Sequence, residues 1–251
     1  MRILECAQGS PEWVDARLGV PTASQFHRIL APSSLKPSSQ RGGYMDQLLA
    51  EWILGDPCDA DASSFMDRGT ALEDDAVLRY EIEQGVDVRR VGFCTADADP
   101  VVGCSPDFLV GDDGGGEIKC PSAKVHVGYL LGASSVKYRL QVQGALWITG
   151  RKWWDWYSYS PVMPPAQVRH ERDEEAIAAL AAALNTFCTH LEVAKQALRD
   201  KGCVSAIDRR RGLEAADKAR QDDLAAELFP DDDHVAPAVQ RPAIDPEDIP
   251  F

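Results

Sequence analysis

The spacing of hydrophobic and polar positions along the chain predicts a domain that contains both helices and strands. Apolar residues recur at helical intervals in some stretches and alternate with polar residues in others. The helical stretches are 11–18, 44–54, 65–84, 138–148 and 173–199. The strand-like stretches are 86–93, 101–104, 108–110, 117–119 and 153–159, with a glycine-rich turn expected at 111–115. We therefore predict an α/β (α+β) fold in which helices flank a central mixed β-sheet.

A further short helix is predicted between residues 22 and 30. Thr22 and Gln25 have the spacing of a capping box, in which two side chains satisfy free main-chain N–H groups at the start of a helix. The start of a helix attracts anions because its N–H groups and its dipole point outward. This stretch is therefore a candidate anion-binding element.

The aromatic stretch 153–159 allows two interpretations. It contains three tryptophans and two tyrosines, and exposed rings of this kind can stack on the bases of single-stranded DNA. The alternation of its side chains favours a strand within the sheet instead. We predict the strand.

The chain is long enough for one large domain with an appendage. We predict a folded domain over residues 1–205, an alanine-rich helical extension over 206–229 and a disordered acidic tail over 230–251. The tail is rich in proline and acids and has little apolar surface to bury, so we expect no packed structure there.

The net charge of −14 disfavours DNA binding only until its distribution is considered. Residues 222–251 contain nine acids and one base, Arg241, so this segment carries more than half of the excess. The remaining body is less acidic, and basic residues such as Arg17, Arg28 and Arg139 are available to line a local groove. A nucleic-acid substrate is compatible with this distribution.

The seven cysteines are scattered and include no Cys-x-x-Cys pair. This disfavours a zinc ribbon, an iron–sulfur cluster and a disulfide framework, and we expect reduced, mostly buried thiols. No histidine has metal-ligand spacing. We expect no apolar stretch to be long enough to cross a bilayer, and the N-terminus lacks a secretory signal. We therefore expect a cytoplasmic protein without a membrane partner.

The strongest chemical signal lies around residues 105–119. A strand-like segment ends in Ser105-Pro106-Asp107, and Glu117-Ile118-Lys119 follows beyond the glycine-rich turn. Two neighbouring strands can place both carboxylates and the ammonium group around one point. Hard divalent cations prefer such oxygen ligands, and a bound cation can generate hydroxide for attack on a phosphodiester. These residues predict a metal-dependent nuclease centre.

Five segments resemble the lambda exonuclease family, also called the YqaJ-type viral recombinase family, of the PD-(D/E)XK nuclease superfamily. They are 13–24, 68–76, 104–107, 117–121 and 141–149. They occur in the family's order, within a region of roughly residues 9–175. The resemblance implies the restriction-endonuclease-like fold of that superfamily.

The resemblance also implies a metal site. Asp107, Glu117 and the main-chain carbonyl of Ile118 would hold Mg²⁺, with Mn²⁺ as an alternative ion. Glu73 would complete that site or bind a second ion. A solvent-exposed Glu73 without a metal role is the alternative reading, since Asp74 and Asp75 beside it look solvent-facing.

Two further residues receive catalytic roles from the same resemblance. Lys119 would orient and acidify the attacking water or stabilise the transition state. Gln141, on the helix that follows the core motif, would position the nucleophile. Gln143, two residues later, would point elsewhere on that helix.

A pocket for a DNA end is implied by three other positions. Arg17, Ser24 and Ser105 match residues that cradle the 5′-phosphate of the recessed strand in this family. For Arg17, a structural ion pair is the competing interpretation. The family degrades the 5′ strand of linear duplex DNA and leaves 3′ overhangs, commonly as a trimeric ring that works beside a single-strand annealing protein.

Two other functions remain open from the sequence. An endonuclease of the same superfamily would use the same chemistry on closed circular DNA. A catalytically silent DNA-binding or adaptor subunit would use the fold as a scaffold, although the intact Asp107, Glu117 and Lys119 disfavour it.

The C-terminal residues suggest a partner. The segment from Asp245 to Phe251 resembles the acidic tip of bacterial single-stranded-DNA-binding proteins. Ile249, Pro250 and Phe251 would bind a protein that reads such tips, with the aromatic ring in an apolar pocket. A solvated acidic tail without a partner is the alternative.

Overall fold

The computed structural model describes residues 1–58, 63–97, 101–133 and 136–228. For residues 63–71, 137 and 225–228 it describes the backbone alone. The predicted disordered tail, 230–251, and its terminal Ile249, Pro250 and Phe251 lie outside the described residues. The described residues divide into two units, one that ends at Ala206 and one that begins at Ile207.

Seven α-helices and eight strands are described. The helices are α1 (Pro11–Arg17), α2 (Arg41–Leu54), α3 (Ser63–Gln84), α4 (Ala123–Leu130), α5 (Arg139–Thr149), α6 (Glu174–Asp200) and α7 (Ala206–Leu228). The strands are β1 (Arg2–Leu4), β2 (Val88–Arg89), β3 (Phe93–Thr95), β4 (Gly103–Cys104), β5 (Phe108–Val110), β6 (Gly114–Lys119), β7 (Trp153–Ser158) and β8 (Ala166–Glu171). Short 3₁₀-helices cover Ala23–Arg28 and Val136–Tyr138.

The strands form two sheets. A five-stranded sheet has the order β2-β5-β6-β7-β8, in which β6 and β7 are parallel and the other pairs are antiparallel. A three-stranded antiparallel sheet has the order β1-β3-β4. The prediction of a central mixed sheet flanked by helices is confirmed, and the structure adds a smaller second sheet that the sequence did not predict.

The second sheet arises because the predicted strand 86–93 is divided. Val88 and Arg89 pair with β5, whereas Phe93 already belongs to the other sheet. Gly92, between the two, packs so closely on the main chain of Leu4 and Cys6 that an added Cβ would lie 2.5 Å from the Cys6 carbonyl oxygen. The alternating pattern of the sequence does not reveal this change of sheet.

The predicted turn 111–115 is shorter than expected, because its last glycines belong to β6. Gly114, Gly115 and Gly116 lie beneath large rings, and a Cβ at Gly114 or Gly116 would meet the ring of Trp153 or Phe108 at 2.0 Å. Glycine is therefore required here by packing. The aromatic side chains cover this strand just before it reaches the predicted catalytic residues.

The predicted helix 22–30 is a six-residue 3₁₀-helix, and the capping box is absent. Thr22 makes no side-chain capping hydrogen bond, and its N–H group donates to the Tyr44 hydroxyl at 3.2 Å. Phe26 of this segment packs on Gly144 of α5, where an added Cβ would meet the Phe26 ring at 2.6 Å. This contact fixes residues 22–28 beside α5.

The core lies on both faces of the larger sheet. One cluster surrounds α5 and includes Phe26, Leu146, Trp154 and Phe187. The second packs α3 on the sheet through six residues, which are Ala76, Val77, Tyr80, Phe108, Ile118 and Tyr157. The second cluster thereby holds α3 against β6, the strand that carries Glu117 and Lys119.

Helix α6 corrects one expectation from the sequence. By length and composition it could cross a membrane, so the expectation that no apolar stretch is long enough was wrong. Its apolar residues Ile177, Leu180, Leu184 and Phe187 are nevertheless buried against the rest of the core. This helix packs as a core element.

The seven cysteines are free thiols, but fewer are buried than expected. Cys94, Cys104 and Cys188 are buried, three others are partly exposed and Cys58 is exposed. Cys94 and Cys104 face each other across β3 and β4. Two of the three buried thiols therefore lie in the smaller sheet, and the third, Cys188, lies on α6.

Candidate active site

Strand pairing brings the two predicted acidic ligands together. Asp107 directly precedes β5, whose antiparallel partner β6 carries Glu117. The Asp107 N–H group donates to the Gly116 carbonyl at 3.2 Å, and the Asp107 carboxylate accepts a hydrogen bond from the Ile118 N–H group. The carboxylate of Asp107 is thus held over the start of Glu117-Ile118-Lys119.

Glu117 is the hub of the site. Its side chain is only 8% exposed, and its Oε1 atom accepts hydrogen bonds from the Lys119 ammonium and from the Gln141 amide. Lys119 also lies over the ring of Tyr138, with Nζ 5.4 Å from the ring centre. The structure therefore joins Lys119 and Gln141 to Glu117, beside Asp107.

Gln143 points away from this site, as predicted. Its amide donates to the Glu171 carbonyl at 2.9 Å and accepts from the Asp173 N–H group at 2.8 Å. The two glutamines of α5 therefore have different tasks. Gln141 reaches the carboxylates, and Gln143 ties α5 to β8 and to the start of α6.

The electrostatics of the site suit a divalent cation. Burial, followed by the charge of Glu117, raises the pKa of Asp107 well above its usual value. Burial alone would lower the pKa of Lys119, but the carboxylates of Glu117 and Asp107 outweigh it and raise that pKa. Two acids thus share one ammonium group, and their oxygens are hard ligands. The residues present fit Mg²⁺ or Mn²⁺.

Glu73 shares a cavity with two of these residues, but its carboxylate is bound to an arginine. It lines a cavity of about 740 Å³ together with Asp107 and Lys119. Its carboxylate accepts a hydrogen bond from Arg90, which also binds Asp74 at 2.6 Å. Burial is the main cause that raises the pKa of Glu73. Among the described residues, no three acidic, histidine or cysteine side chains are grouped closely enough to hold a metal ion.

The three predicted phosphate ligands form a second cavity that adjoins the carboxylates. Arg17 donates to the Ser105 hydroxyl at 2.9 Å, and Ser24 lines the same cavity of about 150 Å³. Asp107, Glu117 and Gln141 line the same cavity. Because Arg17 binds a hydroxyl here rather than a carboxylate, the geometry favours its availability to an anion.

Arg17 is preorganised by an aromatic neighbour that sequence reasoning missed as a site residue. Its guanidinium lies 4.2 Å from the ring centre of Trp13, one helical turn earlier. The Trp13 indole N–H donates to the same Ser105 hydroxyl at 2.9 Å. The spacing of four residues on α1 was the available signal for this contact.

Two more residues at the site have no sequence signal of their own. Gln8 donates to the carbonyls of Val91 and Pro106, at 3.2 Å and 2.8 Å, and lines both cavities. It thereby holds the peptide that leads into Asp107. Arg90 reaches Glu73 from a segment seventeen residues away in the chain.

Three of the five rings in the aromatic stretch 153–159 are buried and are not available to stack on DNA. Residues 153–158 form β7, as predicted, and Trp154, Trp156 and Tyr157 are buried. Their rings belong to the core of the domain, beneath the site.

Comparison with known proteins supports the predicted family and fold. Residues 12–152 match the model of the YqaJ-like viral recombinase domain, which bears out the resemblance of the five sequence segments. A crystal structure of an alkaline exonuclease from Laribacter hongkongensis is 34% identical, with a TM-score of 0.69, over 77% of this chain and 98% of that one. A complex of the same exonuclease with dAMP gives 34% identity and a TM-score of 0.68, with the same coverage.

A more distant structure supports the fold alone. A phage-related exonuclease from Haemophilus somnus is 14% identical with a TM-score of 0.56, over 72% of this chain and 96% of that one. These likenesses confirm the predicted fold of the PD-(D/E)XK nucleases. No curated protein matches the chain.

Proposed function

The chain belongs to the YqaJ-like viral recombinase family and is a nuclease, and we propose that it is a Mg²⁺-dependent 5′→3′ exonuclease of linear double-stranded DNA. It removes nucleotides from 5′-phosphorylated ends and leaves 3′ single-stranded overhangs for phage or prophage recombination. One observation carries this proposal. The small cavity lined by Arg17, Ser24 and Ser105 shares a wall with Asp107 and Glu117.

The small cavity explains why the enzyme would act at an end. A terminal phosphate is a dianion, and a guanidinium with a hydroxyl beside it binds such a group through several charge-assisted hydrogen bonds. A phosphate held by Arg17 lies next to the carboxylates, so the neighbouring phosphodiester is the bond exposed to attack. Each cleavage creates a new 5′-phosphate that can occupy the cavity again. The dAMP complex of the Laribacter exonuclease is consistent with a nucleoside monophosphate as the released product.

The metal site is assigned to Asp107, Glu117 and the main-chain carbonyl of Ile118, with Glu73 completing it or binding a second ion. A bound Mg²⁺ or Mn²⁺ supplies an acidified water and neutralises charge on the phosphoryl oxygens. Lys119 stabilises the negative charge that develops during attack and holds the nucleophile in place. Gln141 orients the attacking water through its amide while its contact with Glu117 fixes the carboxylate.

The proposed activity resides in residues 1–205, an exonuclease catalytic domain, with the extension 206–229 and the tail 230–251 as appendages. We further propose that the enzyme works in the cytoplasm of a bacterial host as a homo-oligomer, a trimer by resemblance, beside a single-strand annealing protein. Light scattering of the purified chain tests the oligomer. A monomer at working concentration contradicts it.

The decisive experiment compares three substrates. Linear duplex with 5′-phosphates, linear duplex without them and a closed circle are each incubated with Mg²⁺ and either wild type or Asp107→Ala. We expect degradation of phosphorylated linear DNA, strongly reduced degradation without the phosphate, no cutting of the circle and no activity of the variant. Cutting of the circle favours the endonuclease alternative. Absence of any cleavage favours a silent DNA-binding subunit.

The C-terminal tip is a separate proposal. We assign Ile249, Pro250 and Phe251 to the recruitment of a protein that reads the tips of single-stranded-DNA-binding proteins. Deletion of these three residues should abolish capture of such a reader while exonuclease activity on naked DNA persists. Capture that is unchanged after the deletion contradicts the assignment.

A further inference from the structure

Arg90 occupies an unusual position between the metal site and the solvent. Its guanidinium binds two consecutive carboxylates of α3, Glu73 through Nη2 and Asp74 through Nη1. The Arg90 side chain is 45% exposed, Asp74 is 89% exposed and Glu73 is 25% exposed. Arg90 therefore joins an inward-facing acid to an outward-facing one.

The contact with Arg90 keeps the Glu73 carboxylate from acting as a ligand of a divalent metal ion. The Asp107 carboxylate already binds the strand that carries Glu117, and Glu73 is close enough for the charges of Glu117 and Lys119 to act on it. Its carboxylate is nevertheless committed to a guanidinium. A metal ion that recruited Glu73 as a ligand would have to displace Arg90 from it.

A bound DNA strand would offer Arg90 a competing partner. Arg90 lines the cavity of about 740 Å³ that also holds Trp13, Asp107 and Lys119, where a scissile strand must lie if the proposed function is right. A backbone phosphate can take two parallel hydrogen bonds from a guanidinium, as a carboxylate does. A half-exposed ion pair is weak, so exchange of Glu73 for a phosphate costs little. Asp74 can retain the guanidinium through its other nitrogen during the exchange.

We propose that Arg90 is a DNA-responsive latch on Glu73. Without DNA, Arg90 binds Glu73 and leaves a two-carboxylate site of lower ion affinity. When a backbone phosphate enters the cavity, Arg90 turns to it, remains tethered by Asp74 and frees Glu73 for the divalent ion. DNA and ion then strengthen each other's binding by the same factor, as linkage requires. This inference rests on the metal site and the DNA substrate of the proposed function.

Ion binding in the absence of DNA is the first test. Titration calorimetry with Mn²⁺ is applied to the full chain, to Arg90→Gln, to Glu73→Gln and to the double variant. We expect Arg90→Gln to bind Mn²⁺ about two- to fivefold more tightly than wild type, the size that an exposed ion pair allows. When Glu73 is already replaced by Gln, Arg90→Gln should not increase the Mn²⁺ affinity further. A role in folding alone cannot raise ion affinity.

DNA binding in the absence of ions gives the reciprocal test. Fluorescence anisotropy with a 5′-phosphorylated duplex in EDTA should show weaker binding by Arg90→Gln and about two- to fivefold tighter binding by Glu73→Gln. The tighter DNA binding of Glu73→Gln should be absent in the double variant. Arg89→Gln is the matched control, because Arg89 is the adjacent arginine and forms an exposed ion pair with Glu5. It should leave Mn²⁺ affinity unchanged.

Three results would overturn the latch. They are an unchanged or weaker Mn²⁺ affinity of Arg90→Gln, a gain that persists in the Glu73→Gln background, and an equal gain in Arg89→Gln. A persistent gain would mean that removal of a positive charge acts directly on Asp107 and Glu117. Asp107→Asn separates this failure from that of the proposed function. If Asp107→Asn abolishes Mn²⁺ binding while Arg90→Gln does not alter it, the latch alone is wrong; if neither changes it, the metal site itself is wrong.

Discussion

Two aspartates near the same sheet have opposite surroundings. Asp155 of β7 is fully buried and accepts four hydrogen bonds, from Tyr80, from Gln167 and, through two nitrogens, from Arg169. Asp107 accepts one from the Ile118 main chain and lies beside a second carboxylate, Glu117. The protein satisfies Asp155 completely, whereas it leaves Asp107 with capacity for a ligand. Acids of the first kind stabilise a fold, and acids of the second kind are poised for chemistry.

Asp155 and Asp107 also differ in where the residues that contact them lie in the chain. Asp155 and Arg169 are directly opposed across β7 and β8, and Tyr80 comes from α3. The network therefore ties the helix that carries Glu73 to the far edge of the sheet. Asp107 and Glu117 belong to one hairpin. The structural acid thus stabilises the scaffold on which the chemical acids are arranged.

The largest expected effect separates activity from stability at Asp107. Asp107→Asn should lower the hydrolysis rate by at least about a thousandfold, or about 4 kcal/mol of barrier, because it removes a charged ion ligand. The free energy of unfolding without divalent ions should stay the same or rise by up to about 1 kcal/mol, since a like-charge contact with Glu117 is lost. Hydrolysis assays and urea unfolding measure the two quantities. A loss of stability above about 2 kcal/mol would contradict the comparison.

Asp155→Asn should show the converse behaviour. Removal of one partner from a buried charged network costs about 3–5 kcal/mol, and we expect the lower end because Arg169 is 48% exposed and stays hydrated. Urea unfolding is the measurement. Below the unfolding transition, the variant should retain most of its hydrolysis rate per folded molecule. Retained stability with lost activity would show that Asp155 belongs to the chemical group of acids instead.

Tyr80→Phe should have a smaller effect in the same direction. The variant loses one hydrogen bond to a charged group, worth about 1.5–3 kcal/mol, but keeps the ring contacts with Phe108 and Tyr157. Tyr157→Phe is the matched control, because its hydroxyl donates at 2.9 Å to Glu83, which is itself partly exposed. Urea unfolding should show a smaller loss for the control. If Tyr80→Phe and Tyr157→Phe lower the free energy of unfolding equally, burial of the accepting carboxylate does not affect the strength of these hydrogen bonds.

The sequence predicted the grouping of Asp107 with Glu117 and Lys119, but it did not predict the partners of Asp155. Asp107, Glu117 and Lys119 lie on neighbouring strands of one hairpin, so a local motif places them. Arg17, Ser24 and Ser105 meet because several segments converge, and only the family resemblance anticipated that. Asp155, Gln8 and Arg90 have partners far away in the chain and no motif of their own. Such contacts depend on tertiary packing that no local pattern encodes.

As with the site, the parts of the fold that local sequence patterns determine were predicted, and the parts that depend on tertiary packing were not. Long amphipathic helices such as α3, α5 and α6 and the aromatic strand β7 follow from hydrophobic spacing. The strand β8 was missed because it lies at the edge of the sheet and is largely polar and exposed, so its pattern lacks an apolar face. The change of sheet at Gly92 was missed because close main-chain packing, rather than side-chain alternation, causes it.

The smallest expected effect concerns a satisfied carboxylate at the surface. Asp173 caps α6 by accepting from the Ala176 N–H group at 3.0 Å and pairs with Arg139 at 2.6 Å, but its side chain is 36% exposed. Arg139 and, next, the Ala176 N–H group lower the pKa of Asp173 below its usual value. Its folded pKa therefore lies below the unfolded one, so its contribution to stability is complete above about pH 4 and is lost as the pH falls further. Asp173→Ala should cost about 1 kcal/mol at pH 7 and less at pH 3.

The conservative variant separates the cap from the ion pair. Asp173→Asn keeps a capping oxygen but cannot ionise, so it should lose less stability than Asp173→Ala at pH 7, and the difference from wild type should shrink at pH 3. Urea unfolding at both pH values gives the four free energies. If Asp173→Ala lowers the free energy of unfolding as much as Asp155→Asn does, solvent exposure does not weaken the contribution of a hydrogen-bonded carboxylate in this domain. The difference between Asp155 and Asp107 must then depend only on the groups that bind each carboxylate.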